Sequence, residues 1–229
     1  GLEAGRPTTY SASALKSLVH LELGEWDAAV SAADAVIGHS NFALLSNYAA
    51  NFNGTMENGP GALFEVQYSA TNPSTVSSIS NFYAPTNYKG SALILPTDDS
   101  LHGGGGGPSS GNSFVQAIES GDLRKDVIIS TYGLPNFINA TQPNGTLFFV
   151  NKYYNTADPV GQSSWNFPLI RYAEILLTKA EALNEKGYVA DGEAFTLLNQ
   201  VRSKAGLTPL TAASVTNQEA FRQAVRHER

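Results

Sequence analysis

Apolar residues recur at helical spacing near both ends of the chain, and this pattern limits the possible folds more than any other feature. Near the start, five apolar residues fall at i, i+3, i+4, i+7 and i+11 and form one stripe: Trp26, Ala29, Val30, Ala33 and Ile37. That periodicity predicts an amphipathic helix. Gly24 separates it from an earlier helix, expected from about Tyr10 to Leu23. Two such helices joined by a short turn form an antiparallel hairpin.

The last part of the chain repeats this architecture. A helix is expected from about Leu169 to Lys186, because its apolar positions form a single stripe: Ala173, Leu176, Leu177, Ala180 and Leu183. The opposite stripe is polar: Arg171, Glu174, Thr178, Glu181 and Glu185. A second helix follows, with Asp191 as its predicted cap. A third is predicted to begin at Thr216, which forms a T-x-x-E capping box with Glu219.

Residues 40–168, between the helical ends, are rich in turn-forming residues. They contain 9 of the 11 prolines and 14 of the 21 glycines, but only 12 of the 34 charged residues. Such a composition predicts loops that carry short strands. One strand is expected where apolar and polar residues alternate from Phe64 to Tyr68, and another from Leu147 to Val150. A short helix is expected from Phe114 to Glu119.

The predicted fold class is therefore mainly α, with tetratricopeptide-like helical hairpins and a long loop-rich insertion that contains short β-strands. Gly24, Trp26 and Ala29 match the spacing of the tetratricopeptide turn, in which the aromatic ring fills the crevice between two helices. We predict one domain in three parts: a hairpin at 1–39, the insertion at 40–168 and a helical region at 169–229. The chain opens without methionine and ends inside a predicted helix, so we expect a fragment of a longer protein.

Composition excludes several classes of function. A net charge of -6 without any basic run argues against nucleic acid as a partner, because such binders depend on clustered lysine and arginine. The chain has no cysteine, which excludes disulfides, thiolate zinc sites and cysteine nucleophiles. No stretch approaches the roughly 18 apolar residues of a membrane span. The four histidines share no ligand spacing, so we predict no metal and no cofactor.

Most known catalytic motifs, such as H-E-x-x-H, are absent from the sequence. The glycine run from Gly103 to Gly107 lacks the lysine of a phosphate-binding loop. Several carboxylates could form the pair that a glycosidase needs, but they also suit ordinary turns and caps: Asp98, Asp99, Glu119, Asp122 and Asp126.

Aromatic residues in the loop-rich part suggest a sugar site. Charged residues make up only 15% of the chain, so amides and hydroxyls form most of the polar surface, which suits sugars. Tyr83 and Tyr88 lie in a loop that also contains asparagine and proline, and Trp165 lies just before a predicted helix. Aromatic rings can stack on a sugar while neighbouring amides bind its hydroxyls. We predict Tyr83, Tyr88 and Trp165 as ligand contacts; alternatively, they pin the loops to the helices.

Several motifs resemble one known family. Residues 166–182 read NFPLIRYAEILLTKAEA and strongly resemble the R-Y-A-E-x-L-L-x-x-A-E-A signature of the SusD/RagB family. Residues 198–207 read LNQVRSKAGL and resemble its L-N-x-V-R-x-R-A-G-L motif, with Lys204 in place of arginine. Glu228 and Arg229 resemble the start of its E-R-R-x-E-L element. Residues 24–29 resemble its G-D-W-x-x-A turn, and residues 121–124 its D-P-R element, with Leu123 in place of proline.

The resemblance implies a fold and a function. It implies a SusD-like α-α superhelix and a surface-exposed lipoprotein in the outer membrane of a Gram-negative bacterium. Such proteins bind oligo- or polysaccharides or other nutrients without catalysis and cover a SusC-like TonB-dependent transporter. The lipid anchor would lie upstream of Gly1. Within the motifs we predict a structural network of ion pairs and hydrogen bonds between paired helices: Arg171, Glu174, Glu181 and Arg202.

Two alternatives remain open from the sequence. Helix pairs alone would also suit a helical-repeat scaffold that binds protein or peptide, but that architecture predicts a continuous array rather than one interrupted by residues 40–168. A glycoside hydrolase would use two of the carboxylates named above, and it would release reducing sugars from polysaccharides.

Overall fold

A computed structural model describes residues 5–69, 71, 73–79, 114–133, 146–153 and 162–229. The helices and strands, in chain order, are α1 (Thr9–Glu22), α2 (Trp26–Ile37), β1 (Ala62–Val66), α3 (Phe114–Ala117), α4 (Lys125–Ile128), β2 (Ile129–Gly133), β3 (Thr146–Val150), β4 (Phe167–Arg171), α5 (Tyr172–Lys186), α6 (Glu193–Lys204) and α7 (Gln218–Glu228). The fold is mainly α, as the sequence predicts, with short strands. Among the described residues, no helix has the length and apolar character needed to cross a membrane.

The chain forms two compact units. Unit 1 comprises Gly1–Asn47, Met56–Val66 and Phe167–Arg229, and unit 2 comprises Tyr48–Thr55 and Gln67–Asn166. Unit 1 therefore contains the helical hairpins from both ends of the chain, together with β1 and β4. Unit 2 contains most of the residues predicted to be loop-rich.

The first hairpin of unit 1 has the boundaries that its sequence indicates. Thr8 caps α1 in a reciprocal capping box: its hydroxyl accepts from the Ser11 N–H at 3.1 Å, and the Ser11 hydroxyl accepts from the Thr8 N–H at 2.7 Å. Gly24 forms the turn to α2 with φ at 73°, a conformation that residues with a side chain rarely adopt. Ala29 and Ala33 are fully buried, because small side chains allow the two helices to approach closely.

Helix α5 lies at the centre of the unit 1 core. Ile175, Leu176 and Ala180 are fully buried, and α5 packs against α2, α6 and α7. Phe221 and Val225 supply the buried face of α7. The apolar stripe predicted for α5 thus contributes to the core, as expected for stacked helical hairpins.

The structure differs from the sequence prediction before α5, where a strand replaces the first helical turn. Residues 167–171 form β4, which pairs antiparallel with β1, with Val66 opposite Phe167 and Ala62 opposite Arg171. Pro168 and Ile170 are buried whereas Leu169 is 53% exposed, the alternation of a strand. The helix therefore begins at Tyr172 rather than Leu169, because hydrogen bonding to β1 competes with the helix.

Strand β1 is present as predicted, but its buried face includes a charged residue. Leu63 and Glu65 are the buried residues, and Phe64 and Val66 are only half-buried. The alternation of apolar and polar residues therefore identifies the strand but not its inner face. Glu65 is tolerated inside because its carboxylate accepts a hydrogen bond from the Asn58 backbone N–H at 2.9 Å.

Two predicted helix caps are wrong. Asp191 does not cap α6, which begins after Gly192; instead its Oδ1 accepts from the Ala212 N–H at 2.7 Å. The cap of α7 is Asn217 rather than Thr216, and its side chain accepts from the Ala220 N–H at 2.9 Å. At α7 the neighbouring Thr216 and Asn217 could both act as caps, whereas the N-cap of α6 is Gly192, which has no side chain to accept a hydrogen bond.

Unit 2 contains a pair of antiparallel strands and two short helices within its described residues. Strands β2 and β3 pair antiparallel in continuous register, from Ile129 opposite Val150 to Gly133 opposite Thr146. The predicted strand at Leu147 to Val150 and the predicted short helix at Phe114 are confirmed. Asp122 and Arg124 form a two-pronged ion pair, with Arg124 Nη2 2.7 Å from Asp122 Oδ2.

Candidate ligand-binding site

Unit 1 contains a cavity of about 430 Å³, within the range of about 300–1,000 Å³ typical of small-molecule sites. It lies among four segments: the chain leading into α1, the residues after α2, the turn before β1, and β1 itself. Its lining includes Arg6, Tyr10, Asn41, Phe42, Asn58 and Glu65. Aromatic rings, neutral amides and charged groups thus meet in one place.

Three aromatic side chains form one wall of this cavity and its support. The Tyr10 ring lies 5.5 Å from that of Phe42 at an interplanar angle of 70°, an edge-to-face contact. Behind them, Phe42 stacks on Tyr172 at 6.5 Å, and the Tyr172 hydroxyl donates to the Ile37 carbonyl at 3.2 Å. Burial raises the pKa of Tyr172, so this hydroxyl stays protonated and continues to donate. The wall is therefore held in position from behind.

Some polar groups that line the cavity are held by hydrogen bonds within the protein, and others make no such bond among the described residues. Glu65 is only 5% exposed and is fixed by the Asn58 backbone N–H, which Asn58 presents from a left-handed conformation with φ at 53°. In the part of the chain that the structure describes, neither the Asn41 side-chain amide nor the Tyr10 hydroxyl makes a hydrogen bond. These two groups remain available to a ligand.

Of the three residues predicted to contact a ligand, one lies in the described part of the chain. Trp165 belongs to unit 2, is half-buried, and lies against Gly54: a Cβ added at Gly54 would be 2.6 Å from the indole Nε1 and Cδ1. Tyr83 and Tyr88 lie outside the described residues. Ligand binding by all three stays a prediction.

The four residues predicted as a structural network lie in unit 1. Glu174 and Glu181 both pair with Arg229, at 3.1 Å and 2.9 Å respectively, and thereby join α5 to the end of α7. Arg202 pairs with Glu228 at 3.2 Å. Arg171 lies at the end of β4 and is half-buried. The structure thus places three of the four residues in ion pairs with the E-R element at the chain's end; the structural role of the set stays a prediction.

The sequence did not single out the residues of the cavity. Tyr10, the adjacent pair Asn41 and Phe42, and Glu65 come from separate segments of the chain and form no motif, so only the packing of β1 beside the first hairpin brings them together. Among the described residues, no group of three acidic or histidine side chains is arranged to hold a metal ion. The side chains that line the cavity offer surfaces for stacking and groups for hydrogen bonding.

Comparison with known proteins finds similarity to one family. A SusD family model matches residues 124–229. A SusD-like protein, P38, from Formosa agariphila is 25% identical over 225 residues, which cover 88% of this chain and 43% of that protein. The chain is therefore similar to SusD-family proteins, and the family match lies in its second half. The α5 and α6 motifs that resembled SusD/RagB lie within the matched region.

Solved structures show the same fold over almost the whole chain. A SusD-like carbohydrate-binding protein from Bacteroides fragilis matches with a TM-score of 0.73 and 23% identity, covering 99% of this chain and 49% of that chain. A crystal structure with a xylogluco-oligosaccharide matches with a TM-score of 0.71 and 17% identity, covering 99% and 50%. At these identities the likeness concerns the fold alone. The chain described here spans about half the length of these relatives.

Proposed function

We propose that this SusD-family protein is the glycan-binding component of a nutrient importer in the outer membrane. The family match at residues 124–229 is the observation that carries the proposal. Structures with the same fold include a carbohydrate-binding protein and one solved with an oligosaccharide. The chain's own surface is consistent with such a ligand, because its charged content is low and its net charge of -6 does not favour nucleic acid.

The proposed role is binding without catalysis. SusD-like proteins capture glycans or other nutrients and pass them to a SusC-like TonB-dependent transporter, so we propose that transporter as the partner. We also propose attachment to the cell surface through a lipid anchor. A polysaccharide or oligosaccharide is the proposed ligand, with Tyr83, Tyr88 and Trp165 among its contacts.

A binding screen tests the glycan proposal directly. The protein as its gene encodes it is applied to immobilised plant, algal and animal polysaccharides, and the supernatant is assayed for reducing sugars. We expect retention on at least one polysaccharide without sugar release. Release of reducing sugars would indicate a glycoside hydrolase instead, and failure to bind any polysaccharide would contradict the proposal.

The transporter proposal needs its own experiment. Outer membranes of the source bacterium are solubilised in detergent, the tagged protein is purified, and co-purifying proteins are identified by mass spectrometry. We expect a TonB-dependent transporter in a fixed ratio to the bait. Purification of the tagged protein without such a transporter would contradict the proposed partner but leave glycan binding intact.

A further inference from the structure

We infer that the cavity of unit 1 is a binding subsite for one uncharged sugar ring of the ligand. This inference rests on the proposed function, because it assigns part of the glycan contact to residues that neither the sequence motifs nor the family match identifies. The cavity has a volume of about 430 Å³ and is lined by residues from four separate segments of the chain.

The aromatic wall gives this subsite its apolar surface. A sugar ring carries C–H groups on its faces, and a fixed aromatic side chain can cover one face at a low cost in conformational entropy. Tyr10 contacts both His39, with ring centroids 4.1 Å apart, and Phe42, at 5.5 Å. Phe42 is in turn supported by Tyr172. The wall is therefore organised before any ligand binds.

The unused polar groups lie beside this wall. The Asn41 amide offers a donor and an acceptor, and the Tyr10 hydroxyl offers one of each, so together they match the mixed donor and acceptor character of sugar hydroxyls. The lining carries charged side chains of both signs, Arg6 and Glu65, so it does not present the single-sign surface that a phosphate or a polyanion would require. This combination favours a neutral polyhydroxylated ligand.

Two small changes test the subsite without disturbing the fold. Tyr10→Phe removes one hydroxyl but keeps the ring that contacts Phe42. Asn41→Ala removes an exposed amide that makes no side-chain hydrogen bond among the described residues. Gln200→Ala is the matched control, because Gln200 is a neutral, exposed amide on α6 away from the cavity lining. Thermal unfolding of each variant confirms that the fold is retained.

The measurement is calorimetric titration with an oligosaccharide of the polysaccharide that the binding screen identifies. We expect Tyr10→Phe and Asn41→Ala each to weaken binding by about 3- to 10-fold, the loss of one hydrogen bond, and Gln200→Ala to leave it unchanged. In a ¹⁵N-labelled sample, the side-chain amide signal of Asn41 should shift on adding the oligosaccharide, whereas that of Gln200 should not.

The outcomes separate this inference from the proposed function. Equal affinity of the wild type and both cavity variants, with an unshifted Asn41 signal, would overturn the subsite while glycan binding stands. If the wild type binds no polysaccharide in the screen, the proposed function fails and the subsite fails with it. Weaker binding confined to the cavity variants supports both.

Discussion

Arg202 and Glu228 form an ion pair, with 3.2 Å between Nη1 and Oε2, and their side chains are only 4% and 0% exposed. The same guanidinium donates from Nε and Nη2 to the Thr208 carbonyl, at 3.2 Å and 3.1 Å. One side chain on α6 thereby fixes both the end of α7 and the loop that follows α6. A buried guanidinium satisfied on several sides specifies one arrangement of these segments.

Removing Arg202 should therefore destabilise unit 1 strongly. Arg202→Ala leaves the Glu228 carboxylate buried without this partner, which typically costs about 3–5 kcal/mol. Lys204→Ala is the control, because Lys204 is exposed on the same helix and its removal should cost less than about 0.5 kcal/mol. Urea unfolding followed by circular dichroism measures both. Similar midpoints for the two variants would show that the buried pair does not stabilise the fold.

Lys179 should make the stability of the protein depend on pH in the alkaline range. Its ammonium group lies 2.6 Å from Asp34 on α2 and 2.5 Å from Glu193 on α6. Burial lowers the pKa of Lys179, but the hydrogen bonds and charges of these two carboxylates outweigh it, so the pKa lies above the ordinary 10.5. A raised pKa in the folded state means that the stabilisation is complete below 10.5 and is lost as the pH rises through the folded-state pKa.

A comparison with Lys179→Met isolates this effect from the titration of other groups. We expect the variant to be about 1–2 kcal/mol less stable than the wild type at neutral pH. The expected loss is no larger because both carboxylates are more than half exposed (53% and 58%), and solvent weakens their attraction to the ammonium group. The difference in free energy of unfolding should stay constant up to about pH 10 and shrink above it. A difference that stays constant both below and above about pH 10 would contradict the assignment of this pH dependence to Lys179.

The start of α7 offers a test between two neighbouring residues. Asn217 accepts a hydrogen bond from the Ala220 N–H, so Asn217→Ala should cost about 1 kcal/mol. Thr216→Ala should cost less than about 0.5 kcal/mol, because Thr216 is exposed and does not cap the helix. Urea unfolding distinguishes them. The reverse order would mean that the T-x-x-E capping box suggested by the sequence forms in solution.

The cap of α7 lies at Asn217, one residue after the predicted Thr216, and this shift shows what the spacing of apolar residues can and cannot predict. The helices and their buried faces follow from the spacing of apolar residues, because that spacing reports directly which side is buried. Helix ends depend on contacts from elsewhere in the chain. Strand β1 illustrates this, because it pairs with residues 167–171 and α5 therefore begins only at Tyr172. The sequence around residue 170 does not indicate that β1 is its partner.

The cavity was less predictable than the helices for a related reason. Its residues come from four separate segments between Gly5 and Glu65, and none of these segments forms a recognisable motif in the sequence. Glu65 looked like the solvent-facing residue of an alternating strand, yet it is buried, because the turn at Asn58 supplies a backbone N–H to its carboxylate. Only the family signature in α5 and α6 could be recognised from local sequence.

The contact between Gly54 and Trp165 predicts that replacing Gly54 with a larger residue destabilises unit 2 strongly. Gly54 has φ at 74°, and an added Cβ would be 2.6 Å from the indole. Gly54→Ala should therefore cost at least about 2 kcal/mol, of which about 1 kcal/mol comes from the left-handed backbone. Gly121→Ala isolates that backbone part, because Gly121 has φ at 86° with nothing within 4 Å of an added Cβ.

A double variant checks the source of the excess cost. In a Trp165→Ala background, Gly54→Ala should cost no more than Gly121→Ala, since the ring that the new methyl group would strike is gone. Thermal unfolding of the wild type, Gly54→Ala, Trp165→Ala and the double variant completes the cycle. An unchanged cost in that background would show that Trp165 does not rest on Gly54 in solution.

Tyr83 and Tyr88 give the most direct test of the predicted ligand contacts in residues 81–88. Tyr83 and Tyr88 share this segment with Asn81, Asn87 and Pro85, so rings for stacking and neutral amides for hydroxyls are close together in sequence. Stacking of one ring contributes about 1–2 kcal/mol, by analogy with other aromatic contacts, so each alanine substitution should weaken binding by roughly ten-fold. Tyr68→Phe, at a tyrosine two residues after β1, is the control and should bind as the wild type does. The measurement is calorimetric titration of the Tyr83→Ala, Tyr88→Ala double variant with the identified oligosaccharide. Full affinity in that variant would contradict the prediction for these two tyrosines, and Trp165 would then be the next aromatic residue to test.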